Sequence, residues 1–210
     1  ISALSNAFKI EELRNKLLFV LAMIFVYRIG AHIPVPGIDT QMLQQLFKGG
    51  GVLDFLDMFT GGALSNFALF AMGISPYITA SIIMQLLTVV VPKLEELSNQ
   101  GREGKKIINR YTRYATVGLG LVQGTGMAML IKSRGAIPNA NFFNLATVVI
   151  TLTAGTVFLM WLGEQITDKG IGNGISIIIY ASIVARFPGA IRSITGSIQQ
   201  GTVSMFNLLL

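Results

Sequence analysis

Residues 61–90 read GGALSNFALFAMGISPYITASIIMQLLTVV, a short apolar piece flanked by glycines that runs directly into a longer apolar segment. The longer segment, 71–91, matches the roughly 20 apolar residues that a transmembrane helix needs. The preceding piece, 61–73, is of the length typical of re-entrant or buried segments. Backbone at membrane depth that does not cross must be shielded by protein or line a cavity. We therefore expect 61–73 to fold back into the molecule, with a surface helix at the outer interface as the alternative.

The rest of the chain has the same apolar character. Of its 210 residues, 52% are hydrophobic and only 12% are charged, against roughly 25% charged in soluble domains. A soluble surface needs more charge than this, so we predict an all-α polytopic membrane helix bundle. Cysteine is absent and His32 is the one histidine, so disulfides and thiolate sites are excluded and we expect no metal or other cofactor. The acidic residues all fall in predicted loops or interfaces, and none is expected to be buried.

Apolar runs divide the chain into predicted spans. Residues 1–16 precede the first span, and within them 5–16 have the pattern of a short amphipathic helix. A further apolar run, 203–210, indicates the start of a sixth span, so we expect the chain to be the front part of a longer protein. The five full spans within residues 17–202 are predicted at about 17–36, 71–91, 114–131, 143–163 and 173–190.

Basic residues concentrate on one side of these spans. They lie in the N-terminal segment, in the 92–113 loop and in the 164–172 loop. Cytoplasmic loops carry such an excess of Lys and Arg, so we predict a cytoplasmic N-terminus. The 92–113 loop is either a solvated loop that only sets topology or a docking surface for a cytoplasmic partner.

Two predicted spans each present two isoleucines one helical turn apart, in line with polar residues. The two faces are Ile74, Ile78, Ser81, Gln85 and Thr88 in the second span, and Ile175, Ile179, Ser182 and Arg186 in the fifth. Ordinary helix packing is the plain interpretation of such pairs. The more specific interpretation is a hydrophobic constriction between two water-filled vestibules.

The sequence contains no complete motif for nucleotide binding or nucleophilic catalysis. In GREGKK (101–106), Asn99 and Lys106 stand where a phosphate-binding loop requires Gly and Ser or Thr. Ser75 lacks a base, because His32 belongs to the outer end of the first span. We therefore predict no enzyme activity. One half of an inverted-repeat secondary transporter for a small solute stays as the alternative to a channel, although such a site needs polar groups at mid-membrane, where this chain offers isoleucine.

Four long blocks of the sequence resemble the bacterial SecY family, the channel subunits of the Sec protein translocase. They are YRIGAHIPVPGI (27–38), the stretch 61–90 quoted above, PKLEELSNQGREGKKIINRYTRY (92–114) and FLMWLGEQITDKGIGNGISIIIYASIV (158–184). The resemblance implies ten transmembrane helices in two pseudo-symmetric halves around an hourglass pore. This chain corresponds to the first half.

The same resemblance assigns roles to residues. It implies a pore ring at Ile74, Ile78, Ile175 and Ile179. It implies a re-entrant plug at about 57–70, represented by Asp57, Met58, Phe59, Gly61, Gly62, Ala63, Leu64, Ser65, Asn66, Phe67 and Phe70. It implies a lateral gate lined by Thr79, Gln85 and Gln123. Within the 92–113 loop, the expected contacts to a cytoplasmic partner are Arg102, Lys105, Lys106 and Arg110.

The function implied by the resemblance is that of the central pore-forming subunit of a protein-conducting channel. Such a channel moves unfolded secretory proteins across the bacterial plasma membrane and inserts membrane proteins into it. The expected partners are the small membrane subunits SecE and SecG, the motor ATPase SecA, the ribosome, a polypeptide bearing a signal sequence, the lipid bilayer and the C-terminal half of the channel.

Overall fold

The computed structural model describes residues 10–40, 57, 60–137 and 141–199, with side chains as far as Ala185 and at Phe187. Residues 1–9, Met58, Phe59, the side chain of Arg186 and the predicted start of a sixth span at 203–210 lie outside this description. The prediction of an all-α fold is confirmed, since the described part contains helices and a single isolated β-bridge. The helices are α1 (Glu11–Gly30), α2 (Ser75–Val90), α3 (Pro92–Asn99), α4 (Arg102–Ser133), α5 (Phe142–Lys169) and α6 (Gly174–Gln199).

Helix α1 differs from the predicted first span at both ends. It begins at Glu11 rather than at residue 17, so residues 11–16 and the apolar run form one continuous helix. Lys16 pairs with Glu12 at 2.8 Å, one turn away, which supports helix in this charged part. The helix ends at Gly30, before the prolines at 34 and 36, because proline disfavours continued helix in the residues that precede it.

The 92–113 stretch, which we call the basic arm, is helical where a loop was expected. Pro92 begins α3, a position that proline favours because its missing N–H is not needed there. Gly101 then adopts a positive φ of 69° and separates α3 from α4. The first turns of α4 are formed by residues of high helix propensity such as Lys105 and Lys106. The charge pattern therefore gave no information about helix or loop.

Two of the described helices, α4 and α5, are long and apolar enough to cross a membrane. Helices α2 and α3 are long and apolar enough only when taken together, and they are bent by 100° at their junction. Counted as one span, they would be the third. The apolar part of α6, Gly174–Ala185, is shorter than a full membrane span. The chain is a multi-pass membrane protein, while its first and fifth predicted spans stay predictions.

Residues 60–74, which we call the core segment, form consecutive turns and contribute to two buried hydrophobic clusters. On one side Leu64 and Phe67 join a buried cluster with Leu152 of α5. On the other side Phe70 joins a second cluster with Tyr27 of α1. The segment therefore folds back into the molecule, as its length predicted, and the alternative of a surface helix is wrong.

Candidate functional site: a cavity beside the core segment

The core segment is held by backbone hydrogen bonds to the loop that follows α1. The N–H of Val35 donates to the carbonyl of Phe67 at 2.9 Å, and the N–H of Leu69 donates to the carbonyl of Ile33 at 2.8 Å. These bonds flank the isolated bridge between Pro34 and Ala68. The segment itself turns sharply, with a positive φ at Gly61, Gly62, Phe67 and Gly73. Glycine adopts such angles without steric penalty, which explains why this apolar piece is flanked by glycines.

Neighbouring helices approach the core segment closely through small residues. A Cβ at Gly155 of α5 would overlap the carbonyl oxygen of Leu69, and a Cβ at Gly30 would overlap the ring of Phe70. The Phe70 ring stacks between Tyr27 and Phe158, with ring centroids 5.8 and 6.0 Å apart. The segment is thus fixed by shape as well as by hydrogen bonds.

Asp57 corrects a sequence expectation. Its side chain is fully buried, whereas the acidic residues were all expected in loops or at interfaces. Its Oδ1 accepts hydrogen bonds from the N–H of Ser65 at 2.8 Å and from the hydroxyl of Thr60 at 3.2 Å. These hydrogen bonds to Oδ1 offset part of the cost of burying the carboxyl group. Asp57 therefore closes the turn that leads into the core segment.

A cavity of about 420 Å³ lies between the core segment and helices α2, α4 and α6. The isoleucines of its wall are Ile74, Ile78 and Ile179, and Leu64 of the core segment borders the same space. The remaining lining residues are Thr60, Ala71, Met72, Gly73, Ser75, Thr79, Gln123 and Met127. The structure thus brings together three predicted ring residues, two predicted gate residues and part of the predicted plug.

Two predicted site residues lie away from this cavity. Ile175 packs against Gly163 of α5, where a Cβ would meet the isoleucine side chain. Gln85 is exposed on α2, with its amide 3.5 Å from the hydroxyl of Ser81. Their roles in a pore ring and a gate stay predictions. The four basic residues expected to contact a partner, Arg102, Lys105, Lys106 and Arg110, are exposed in the first turns of α4.

A buried polar contact between α1, α6 and the core segment was missed by the sequence analysis. The hydroxyls of Tyr27 and Ser182 lie 2.6 Å apart, and the Tyr27 hydroxyl lies 3.2 Å from the carbonyl oxygen of Thr60. The guanidinium of Arg28 donates to the carbonyl of Gly61 at 3.3 Å. The polar face of the fifth span contained one signal, Ser182, but nothing in the sequence paired it with Tyr27.

Comparison with protein families identifies what the chain is similar to. A family model described as SecY matches residues 68–210. Protein translocase subunit SecY of Pseudomonas aeruginosa is 49% identical over all of this chain and 48% of its own length. The Escherichia coli K12 subunit is 48% identical over 95% of this chain and 46% of its own length. That of Streptomyces scabiei is 48% identical over 92% of this chain and 48% of its own length. The chain therefore spans about half the length of these curated relatives.

Solved structures share the fold. One described as a protein conducting channel superposes with a TM-score of 0.61 and 23% identity, over 90% of this chain and 42% of the other. Sec61 in a canine ribosome–channel complex from the endoplasmic reticulum gives the same TM-score, identity and coverage. At this identity the likeness establishes the architecture of the helices.

Proposed function

The chain belongs to the SecY family, and we propose that it forms the first half of the pore of a bacterial protein-conducting channel. The observation that carries the proposal is the cavity bordered by Ile74, Ile78 and Ile179 and by residues of the buried core segment. Branched aliphatic side chains around a narrow passage make a compliant constriction that limits ion flow by excluding water. In the proposal these three residues and Ile175 contribute to the ring, and the second half of the protein completes it.

The core segment serves as the plug in this proposal. Its burial between α1, α5 and α6 supports a role in blocking the passage at rest. Met58 and Phe59 belong to the proposed plug by sequence. A translocating polypeptide displaces the plug and takes its place in the constriction.

We propose that α2 and α4 together form one side of the lateral gate, and that the second half of the protein supplies the other side. Thr79 of α2 and Gln123 of α4 border the same cavity, which supports a polar lining on this side of the gate. In the proposal Gln85 extends that lining toward the cytoplasm. A signal sequence that intercalates between the two sides of the gate favours the open state because it contacts that state better than the closed one. Apolar segments then pass sideways into lipid, and polar segments continue outward.

Partners and location follow from the same proposal. We propose residence in the bacterial plasma membrane with a cytoplasmic N-terminus, in a complex with SecE and SecG. The exposed basic residues of the basic arm then face the cytoplasm and offer a secondary contact to SecA or to the ribosome. The chain performs no bond-making chemistry, so the energy for transport comes from a partner motor, from chain elongation or from the proton-motive force.

The test is crosslinking in the full-length protein. A photo-crosslinkable residue is placed at Ile78 or Ile179 while a secretory polypeptide is stalled in transit. The matched control is Val89, an exposed apolar residue of α2 that does not line the cavity. We expect crosslinks to the polypeptide at Ile78 and Ile179 and none at Val89. Absence of crosslinks at both isoleucines with the polypeptide engaged would overturn the proposal, and uptake of a small solute by the same protein would favour the transporter alternative.

A further inference from the structure

Tyr27 and Ser182 form a buried hydroxyl pair next to the first residues of the core segment. The two side chains come from α1 and α6, and only 2% and 3% of their surfaces are exposed. Their oxygens lie 2.6 Å apart. The Tyr27 hydroxyl also lies 3.2 Å from the carbonyl oxygen of Thr60, and the Ser182 hydroxyl lies 2.8 Å from the carbonyl oxygen of Ile178.

The number of protons restricts how these groups bond. In the described part of the chain the pair makes three contacts, but each hydroxyl has one proton to donate. Because the two hydroxyl oxygens lie only 2.6 Å apart, one of the protons must lie between them, which leaves two arrangements. In one arrangement Tyr27 donates to the Thr60 carbonyl and Ser182 donates to Tyr27. In the other, Ser182 donates to the Ile178 carbonyl and Tyr27 donates to Ser182. Both arrangements satisfy both protons, but only the first binds the core segment.

We propose that Tyr27 and Ser182 are positioning residues that act as a two-state clasp on the core segment. This inference rests on the proposed function, in which the core segment is the plug. When the segment leaves, the pair changes to the second arrangement, so no buried hydroxyl loses its partner. Leaving a buried donor unpaired costs more than a hydrogen bond contributes when it forms. The second arrangement removes that penalty and makes the plug releasable.

The backbone around Gly61 supports this assignment. Gly61 has a φ of 65°, and a Cβ there would lie 3.2 Å from the Cα and carbonyl oxygen of Ser182 and 3.3 Å from the Tyr27 hydroxyl. The core segment therefore rests directly on the pair. Ser182 shares α6 with Ile179 of the cavity wall, so the clasp connects the segment to the helix that borders the passage.

Substitutions at the two positions have opposite expected effects. Tyr27→Phe removes the donor to the Thr60 carbonyl and favours release of the segment. Ser182→Ala leaves that bond in place but removes the acceptor that Tyr27 uses after release, so it favours retention. A neutral hydrogen bond corresponds to about a two- to tenfold change in an equilibrium constant, and we expect shifts of this size in opposite directions.

The experiment uses the full-length channel with its membrane partners. Release of the segment is measured as the rate at which Leu64→Cys, which borders the cavity, reacts with a membrane-impermeant maleimide. This chain has no cysteine of its own. Resting ion conductance in planar bilayers and transport of a substrate with a weakened signal sequence are measured in parallel. Tyr27→Phe should raise all three, and Ser182→Ala should lower all three.

Controls separate the clasp from simple packing. Tyr180→Phe removes an exposed hydroxyl from the same helix and should change nothing, and Ser182→Thr should retain wild-type values. If Ser182→Ala does not assemble, Ser182→Gly makes the same test. Shifts in the same direction for the two variants, or no shift in either, would overturn the clasp. If the wild-type channel transports nothing while the labelling rates still diverge, the proposed function fails and the clasp stands.

Discussion

The core segment and the basic arm differ in where their residues find their partners. Core-segment groups bond to distant parts of the chain, as when Leu69 donates to Ile33 and Thr156 of α5 donates to the carbonyl of Gly73. The basic arm is helical and most of its side chains are exposed, with local pairs such as Lys106 and Glu103 at 2.8 Å. The core segment thus takes its conformation from its surroundings, whereas the basic arm takes its conformation from its own sequence. We therefore expect substitutions that affect the core segment to change the stability of the whole protein, and substitutions in the basic arm to have only local effects.

The largest effect is expected from Phe70→Ala. The Phe70 ring is fully enclosed and stacked between α1 and α5, so its removal leaves a cavity between two helices. We expect a loss of about 3 kcal/mol in the free energy of unfolding, measured by denaturation of the full-length protein in detergent. Phe142→Ala is the control, because Phe142 is 87% exposed. Equal losses for the two variants would remove the distinction between the core segment and the surface.

A pair of glycines sharpens the comparison. Gly155→Ala places a methyl group against the carbonyl of Leu69 and should destabilise the protein by about 1–3 kcal/mol. Gly118→Ala, on α4, meets nothing within 4 Å. It should be neutral or stabilise the helix by up to about 1 kcal/mol, because alanine is the better helix former. The measurement is the same denaturation, and a neutral Gly155→Ala would contradict the close approach of the core segment to α5.

The core segment was only partly predictable from the sequence. The length of the apolar piece was sufficient to predict that 61–73 is buried. It was not sufficient to predict the turns, because those depend on Ile33, Val35 and Gly155, which are distant in sequence. The burial of Asp57 was missed for the same reason, since its partners Thr60 and Ser65 converge on it only in the folded turn.

Helical periodicity predicted some of the cavity-lining residues, but the sequence patterns did not predict where the helices begin and end. It grouped Ile74 with Ile78, and both border the cavity. It also grouped Ile175 with Ile179, but Ile175 is directed to Gly163, because the close contact of α5 with the start of α6 depends on a glycine on another helix. The helix within the basic arm was missed because the charges were used to predict topology and their high helix propensity was not considered.

An intermediate effect is expected where the basic arm meets the bundle. Arg113, its last residue, donates to Glu164 of α5 at 2.9 Å, and both side chains retain some exposure. Because solvent screens such a pair, we expect a coupling energy below about 1 kcal/mol in a double-mutant cycle of Arg113→Ala and Glu164→Gln. The coupling should fall as salt rises. A larger coupling that is insensitive to salt would mean that the arm depends on tertiary contacts after all.

The smallest effect on the fold is expected from Lys106→Ala. The lysine pairs only with Glu103 among the described contacts, and both are exposed. We expect no measurable change in stability. Under the proposed contact with SecA, we also expect weaker binding of SecA at low salt, measured by titration against the reconstituted full-length protein. Asn109→Ala, an exposed uncharged position of the arm, is the control for SecA binding. Destabilisation by Lys106→Ala would contradict a locally determined arm.

A row of aromatic rings gives this half of the protein an optical reporter. From Phe70 the row continues through Phe158 to Trp161, whose ring centroid lies 5.6 Å from that of Phe158. Trp161 is the chain's only tryptophan and is partly exposed on α5. If the core segment is the plug, as proposed, its displacement removes Phe70 from Phe158 and changes the surroundings of the indole. The emission of Trp161 should then register movement of the core segment without any attached dye.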